Sequence, residues 1–249
     1  MSGHSKWSTI KRKKGAKDAE RGRIFTRLIK EITVAARQGG GDETSNPRLR
    51  TAVQAAKTAN MPSKNVENAI KKGTGELPGV TYDEVVYEGY GPGGVAIYLE
   101  TLTDNKNRTV AEIRHLLTKF GGSLGENGSV AWMFDKKGVV SVPVANTTED
   151  DLMMVVLDAG AEDIEQEEDM FLVKSGVSEF EAVKAALEEN GVEYETAELT
   201  MEPQNTVAVE GKQAEQVLKL MDALEEQDDI QNMYSNFDID DSVIEALNA

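Results

Sequence analysis

The hydrophobic period of the chain changes once, at a segment rich in Gly and Pro between residues 73 and 79, and this change divides the fold. Before it, apolar residues recur every three or four positions, as they do in amphipathic helices. We expect three helices there: one over 18–37, one capped by Asn46, and one opened at Met61. After it, short β-type segments alternate with helical ones. The sequence therefore predicts a helical N-terminal domain followed by α/β structure.

The α/β part repeats one unit. Residues 137–202 follow the β-α-β-β-α-β order of a ferredoxin-like domain. The flanking segments give the same order when joined, with one strand expected over 129–134. We therefore predict an α+β fold of three domains, an N-terminal helical domain plus two ferredoxin-like α/β domains, one inserted into the other. The predicted boundaries are 1–17 for a basic flexible arm, 18–78 for the helical domain, 79–135 plus 203–240 for one α/β domain, and 136–202 for the inserted acidic domain.

Charge is segregated along the chain. The formal net charge is −17, yet residues 1–75 hold 17 Lys and Arg against 6 Asp and Glu, whereas residues 145–249 hold 4 against 29. A basic N-terminal third is the electrostatic footprint of phosphate binding, because each Lys or Arg near a phosphate releases a counterion. The alternative is that these residues form ordinary solvated helix faces.

The candidate nucleic-acid-binding residues lie in the arm, on two helices and in one loop. The arm surrounds a single aromatic with six basic residues, and this Trp could stack on a base or anchor the arm. The loop, residues 103–109, could contact phosphate or cap the next helix through Asp104 or Asn107. The set is Lys6, Trp7, Lys11, Arg12, Lys13, Lys14 and Lys17 in the arm, Arg21, Arg23 and Arg27 in the first helix, with Lys30 beside them, Lys64, Lys71 and Lys72 in the third, and Lys106, Asn107 and Arg108 in the loop.

No constellation typical of catalysis is visible. Cysteine is absent, which excludes disulfides and thiol nucleophiles and suits a reducing compartment. The two histidines, His4 and His115, fall in separate predicted segments. Gly89–Gly94 matches G-x-G-x-x-G by letter, but a predicted strand follows it instead of a helix, so we interpret it as a hairpin turn. We therefore expect no enzymatic activity, no metal and no cofactor.

The remaining acidic and apolar patterns indicate a soluble protein. The acidic clusters at 167–169, 225–229 and 238–241 lack the spacing of a calcium loop, so we interpret them as solvated surface. No apolar run approaches the ~18 residues of a membrane span, and the first residues lack the apolar block of a secretory signal. We expect a cytoplasmic protein with no membrane contact.

Seven blocks of the sequence form a specific combination: Gly3–Trp7, Asn46–Arg50, Asn60–Pro62, Ala69–Gly73, Tyr87–Ala96, Leu102–Thr109 and Gly128–Ala131. Together these blocks resemble the YebC family. The resemblance is strong over residues 3 to about 134, whereas the acidic remainder matches in layout. It implies a helical N-terminal domain and two α/β domains, one interrupting the other.

The resemblance implies a non-enzymatic regulator of gene expression. Bacterial members are described as DNA-binding transcriptional regulators, the mitochondrial relative is a translational activator of a cytochrome oxidase subunit, and bacterial members are also linked to ribosomes stalled on proline-rich stretches. A chain with a basic N-terminal third and an acidic remainder suits the ribosome, which offers both RNA phosphates and basic proteins. None of the three helices shows an obvious cluster of Arg, Asn and Gln for reading bases.

We therefore expect a ribosome- or RNA-associated translation factor, with a DNA-binding transcriptional regulator as the alternative and an acidic protein-interaction scaffold as the third. The expected partners are RNA and the ribosome, or DNA, with basic ribosomal proteins meeting the acidic domains and a monomer as the default. We further expect the loops at Gly89–Gly94 and Asp104–Arg108 to approach one functional centre.

Overall fold

The computed structural model describes residues 18–167, 169–240 and 243. The predicted arm, residues 1–17, and its seven candidate contact residues lie outside them. The chain divides into two compact units, one holding the residues up to Trp132 and from Asn205 onward, the other Met133–Gln204. In the described ranges, no helix is long and apolar enough to span a membrane.

Three helices form the N-terminal helical part of the first unit: α1 at Asp18–Gly39, α2 at Pro47–Thr58 and α3 at Ser63–Thr74. Asn46 caps α2 by accepting from the N–H of Leu49, and its Nδ2 donates to the Ala35 and Gly40 carbonyls at 2.8 Å. The start of α2 is thereby tied to the end of α1. The core between the helices contains Ile32, Ala35, Ala36, Leu49, Ala52, Val53, Ala56, Val66 and Ala69.

The rest of the first unit is an antiparallel sheet with two helices packed on one face. Its strands are β1 at Asp83–Tyr90, β2 at Ala96–Thr103, β3 at Ser123–Leu124 and β9 at Ile230–Ser235, in the order β3-β1-β2-β9. The helices are α4 at Lys106–Lys119 and α7 at Gly211–Glu225. The core that joins them contains Ile97, Leu99, Ile113, Leu117, Val217, Leu220, Met221 and Leu224.

The second unit is a ferredoxin-like domain. Its elements are β4 at Phe134–Pro143, α5 at Glu149–Val156, β5 at Ala161–Glu167, β6 at Met170–Ser175, α6 at Phe180–Glu189 and β7 at Thr196–Pro203. All neighbouring strands are antiparallel, in the order β5-β6-β4-β7. The core contains Val140, Val142, Leu152, Val156, Phe171, Val173, Val183 and Leu187.

The predicted fold class is confirmed, since a helical part is followed by two α/β parts. The strand expected over 129–134 was wrong: Ala131–Met133 form a single 3-10 turn, and Phe134 begins β4 of the second unit. The physical reason is the buried carboxylate of Glu88, which accepts the N–H groups of Val130 and Ala131. After residue 205 the chain forms a two-residue strand, β8 at Val207–Ala208, which pairs in parallel with β10 at Phe237–Asp238.

Candidate nucleic-acid interface

α3 presents three of the predicted lysines to solvent. α3 buries Val66 and Ala69 against α1 and α2. Lys64 and Lys71 lie on the opposite side because a helix repeats every 3.6 residues, Lys72 lies at the flank, and all three are exposed. Within residues 18–167 and 169–240, none of the three forms an ion pair. Their charges therefore face solvent and are open to a phosphate.

Two predicted contact residues of α1, Arg21 and Arg23, also lie toward solvent. Arg21 is exposed, and its guanidinium stands 5.4 Å from the centre of the Phe25 ring. Arg23 is half-exposed. Burial lowers the pKa of the neighbouring Arg27 guanidinium most, the charge of Glu225 raises it, and the charge of Arg23 lowers it.

Arg27 and Lys30, in contrast, turn toward the α/β sheet. The guanidinium of Arg27 donates to the backbone carbonyl of Glu225. Lys30 is only 7% exposed, and its Nζ lies 2.6 Å from the carboxylate of Asp229 and donates to the carbonyl of Asp228 at 2.8 Å. Both cations, expected on a free polar face, therefore fasten the helical part to the α/β part.

Asp229 is the centre of this attachment. Its carboxylate accepts from Lys30 at 2.6 Å, from Arg108 at 2.7 Å and from the hydroxyl of Thr109 at 2.7 Å. Burial by itself raises the pKa of Asp229, but the hydrogen bonds from Arg108, Lys30 and Thr109 outweigh it and lower the pKa to about 2. The interpretation of the 225–229 cluster as solvated surface was wrong for this residue, which is 6% exposed.

The loop before α4 has a structural role in the described conformation. The helix cap is Asn105, which accepts from the N–H of Arg108, and not Asp104 or Asn107. The guanidinium of Arg108 joins Asp104 at 2.8 Å and Asp229 at 2.7 Å. Lys106 lies 3.4 Å from the carboxylate of Asp83, and Asn107 is exposed.

The two loops that were expected to meet lie at opposite ends of one hairpin. Tyr90 pairs with Ala96 at the end that holds Gly91–Gly94, whereas Asp83 pairs with Thr103 at the end that leads to Asp104–Arg108. Strands of eight residues separate these ends by about 23 Å. An antiparallel hairpin places successive loops at opposite ends of its strands, so the two loops do not form one site on this protein.

Sequence reasoning also missed a further cation that joins parts of the fold and three exposed cations of the helical part. Arg48 on α2 bonds Glu31 of α1 at 2.6 Å and Glu84 of β1 at 2.9 Å. The exposed cations of the helical part that lie outside the predicted set are Arg37, Arg50 and Lys57. The only signal for them in the sequence was the basic composition of the first 75 residues.

Comparison with known proteins identifies the family. Residues 5–76 match the model of the TACO1/YebC N-terminal domain, and residues 82–237 match that of the TACO1/YebC second and third domains. The chain belongs to the TACO1/YebC family. The two matches meet between residues 76 and 82, in the exposed connection that leads from α3 to β1.

Individual proteins resemble this chain over 90% or more of its length. A probable transcriptional regulatory protein of Desulforapulum autotrophicum is 61% identical over 247 residues, which cover 99% of this chain and all of that protein. One from Chlorobaculum parvum is 56% identical, with 99% of each chain covered. The crystal structure of a conserved hypothetical protein from Aquifex aeolicus aligns with a TM-score of 0.80 and 47% identity, over 90% of this chain and 92% of that one.

The names of these TACO1/YebC relatives describe regulators, and none of those names describes an enzyme. Across residues 18–167, 169–240 and 243, no three His, Asp or Glu side chains are grouped so that they could hold a metal ion. The exposed side chains of the candidate interface are cations and the amide of Asn107, which are groups that bind phosphates and bases.

Proposed function

We propose that this protein is a non-enzymatic regulator of gene expression that binds RNA and acts at the ribosome. The observation that supports this most directly is the contrast among the cations of the helical part. Arg27, Lys30 and Arg48 are bonded within the fold, whereas Lys64 and Lys71 lie outward on α3. Cations that serve no internal contact and share one helix face are available to neutralise phosphates.

The distribution of acidic residues supports a target made of both RNA and protein. Residues 133–204 hold 19 Asp and Glu against 4 Lys and Arg, whereas residues 18–78 hold 7 against 11. The acidic unit repels a polyanion and thereby restricts RNA contact to the first unit. The same unit attracts basic protein surfaces, such as those of ribosomal proteins.

A DNA-binding transcriptional regulator is the second candidate. It is favoured by the names of the relatives and by the order of α2 and α3, two twelve-residue helices joined by residues 59–62. In a helix-turn-helix protein the second helix enters the major groove. Here that helix presents Lys64, Asn68 and Lys71 on its outer side, so Asn68 could contact a base edge.

Sedimentation of native lysate through sucrose gradients would separate the two candidates. We expect the protein to move with ribosomes at low salt, to be released as salt rises, and to remain there after DNase treatment. A protein that stays at the top of the gradient but binds duplex DNA with sequence preference is a transcriptional regulator. A protein that does neither acts through protein contacts alone.

A matched pair of triple variants tests the α3 surface itself. Changing Lys64, Lys71 and Lys72 to Ala should weaken binding of a structured RNA and lower the slope of log affinity against log salt by roughly 0.7–0.9 for each phosphate that is no longer neutralised. The control changes three exposed lysines outside the helical part, Lys136, Lys212 and Lys219, to Ala. Equal effects of the two triple variants would show that overall charge, and not the α3 surface, governs binding.

A further inference from the structure

The indole of Trp132 is a large aromatic group left in solvent. Trp132 is 65% exposed and directly follows the loop after β3. It is the last residue of the first unit before the chain enters the second. It is one of two tryptophans in the chain, and the other, Trp7, lies outside the described residues. Tryptophan buries more apolar surface than most side chains when it finds a partner, so an exposed indole is a candidate contact site.

The loop that leads to Trp132 is held by a buried carboxylate. Glu88 on β1 is buried, and it accepts N–H groups from Gly128 at 2.6 Å, Val130 at 2.7 Å and Ala131 at 2.8 Å. Burial alone raises the pKa of Glu88, but the three donors outweigh it and lower the pKa. The carboxylate therefore stays ionised at neutral pH and fixes the backbone that positions the indole.

The orientation of the indole is fixed as well. Its Nε1 donates to the carbonyl of Ser129 at 3.1 Å, and the hydroxyl of Tyr90 donates to the same carbonyl at 2.9 Å. The single polar group of the side chain is thus bonded within the loop. What Trp132 offers a partner is the face of its ring, already oriented, so little conformational entropy is lost on contact.

The surroundings of the loop leave room for a chain to approach. Gly128 has a positive φ, and a Cβ added there would meet no atom within 4 Å. The same holds for Gly94 in the turn between β1 and β2. Both are exposed, and backbone without side chains permits close approach of a ligand. This end of the sheet is the one away from Asp104–Arg108, about 23 Å distant.

We propose that Trp132 is a stacking platform for an unpaired nucleobase of the bound RNA. Stacking on an aromatic face is tolerant of sequence and needs no hydrogen bond from the indole, which suits a ring whose N–H is already bonded. The inference rests on the proposed function, since the same unit holds the α3 lysines that would bind the phosphates. It adds a base-contacting site that neither the charge pattern nor the family names assign.

Intrinsic fluorescence tests the proposal in the full-length chain. A Trp7→Phe background leaves Trp132 as the only fluorescent indole, and its affinity for the RNA is measured beside that of the wild type because Trp7 is itself a candidate contact residue. We expect a short single-stranded RNA of mixed sequence to quench this emission as it binds, and the same sequence as a duplex to bind through its phosphates without quenching. In direct binding, Trp132→Ala should lower affinity for the single strand by about five- to 150-fold, whereas Trp132→Phe should retain most of it.

Two control variants separate a loss of the indole contact from a loss of folding. Met154→Ala removes another exposed apolar side chain, one that is 72% exposed in the second unit, and it should leave affinity unchanged. Glu88→Gln loosens the loop but keeps the indole, so its loss should lie between those of the Phe and Ala variants. Circular dichroism confirms that each variant is folded.

The outcomes are distinguishable from failure of the proposed function. If the wild-type protein binds no RNA at any salt concentration, the proposed function itself fails. If it binds RNA with the expected salt dependence but the indole is not quenched, or Trp132→Ala binds as tightly as wild type, the stacking proposal is overturned.

Discussion

The helical part contains two sets of cations with different roles. Arg27, Lys30 and Arg48 lie between structural elements and bond acceptors of the α/β part or of neighbouring helices. Lys64 and Lys71 lie on the outer side of α3 and have no ion-pair partner in the described ranges. The same residue types therefore serve stability in one place and are available for recognition in the other. What distinguishes the two sets is whether the side of the helix that carries each cation packs against another element or faces solvent.

The largest effect on stability should come from removing the acceptor of the buried set. Asp229→Ala leaves Lys30 buried without a counter-charge, and breaking a buried pair in this way costs about 3–5 kcal/mol. We expect a corresponding fall in the free energy of unfolding measured by urea. Asp228→Ala is the control, because Asp228 is exposed and contacts Lys30 only through its backbone carbonyl, so its change should stay below about 0.5 kcal/mol.

Acid should weaken the same attachment. The pKa of Asp229 is lowered in the folded state to about 2, so its contribution to stability is complete above the ordinary value of 3.8 and is lost as the pH falls toward 2. We expect the stability difference between wild type and Asp229→Asn to narrow by about 1–2 kcal/mol over that interval. A difference that stays constant from pH 6 to pH 2 would contradict the assigned role of the carboxylate.

A smaller effect is expected at the partly exposed bridge between helices and sheet. Arg48→Ala removes bonds to Glu31 and Glu84, which are all partly solvated, so the cost should be about 0.5–1 kcal/mol. Thermal unfolding measures this cost, with Arg50→Ala as the control, since Arg50 is exposed and among the described residues bonds only the carbonyls of Glu43 and Thr44. Equal losses in the two variants would remove Arg48 from the stabilising set.

The smallest effect on stability should come from the outer set. Changing Lys64, Lys71 and Lys72 to Ala should alter the free energy of unfolding by less than about 0.5 kcal/mol, because exposed substitutions away from caps and ion pairs rarely do more. Combined with weaker RNA binding, this result would separate recognition from stability. A loss of several kcal/mol would mean that the α3 lysines belong with the internal set.

Part of this organisation is a property of the sequence alone. The α+β class, the three N-terminal helices and the segregation of charge all follow from patterns local to a few residues: the apolar period, the helix caps and the composition. The Asn46 cap is an example, since its side chain bonds the N–H of Leu49 only three residues later. Such features need no knowledge of distant partners.

The side on which each cation lies was decided by the tertiary structure. Lys30 and its acceptor Asp229 are 199 residues apart in the chain, and Arg108 reaches the same carboxylate from 121 residues away. Periodicity showed that Arg27 and Lys30 were off the apolar stripe, but not that an acidic turn would cover them. The exposed Trp132 is a similar case, because its loop is fixed by Glu88, from 40 to 43 residues earlier, and not by its own neighbours. Burial of a charge depends on which distant segment packs over it, and packing is a property of the whole fold.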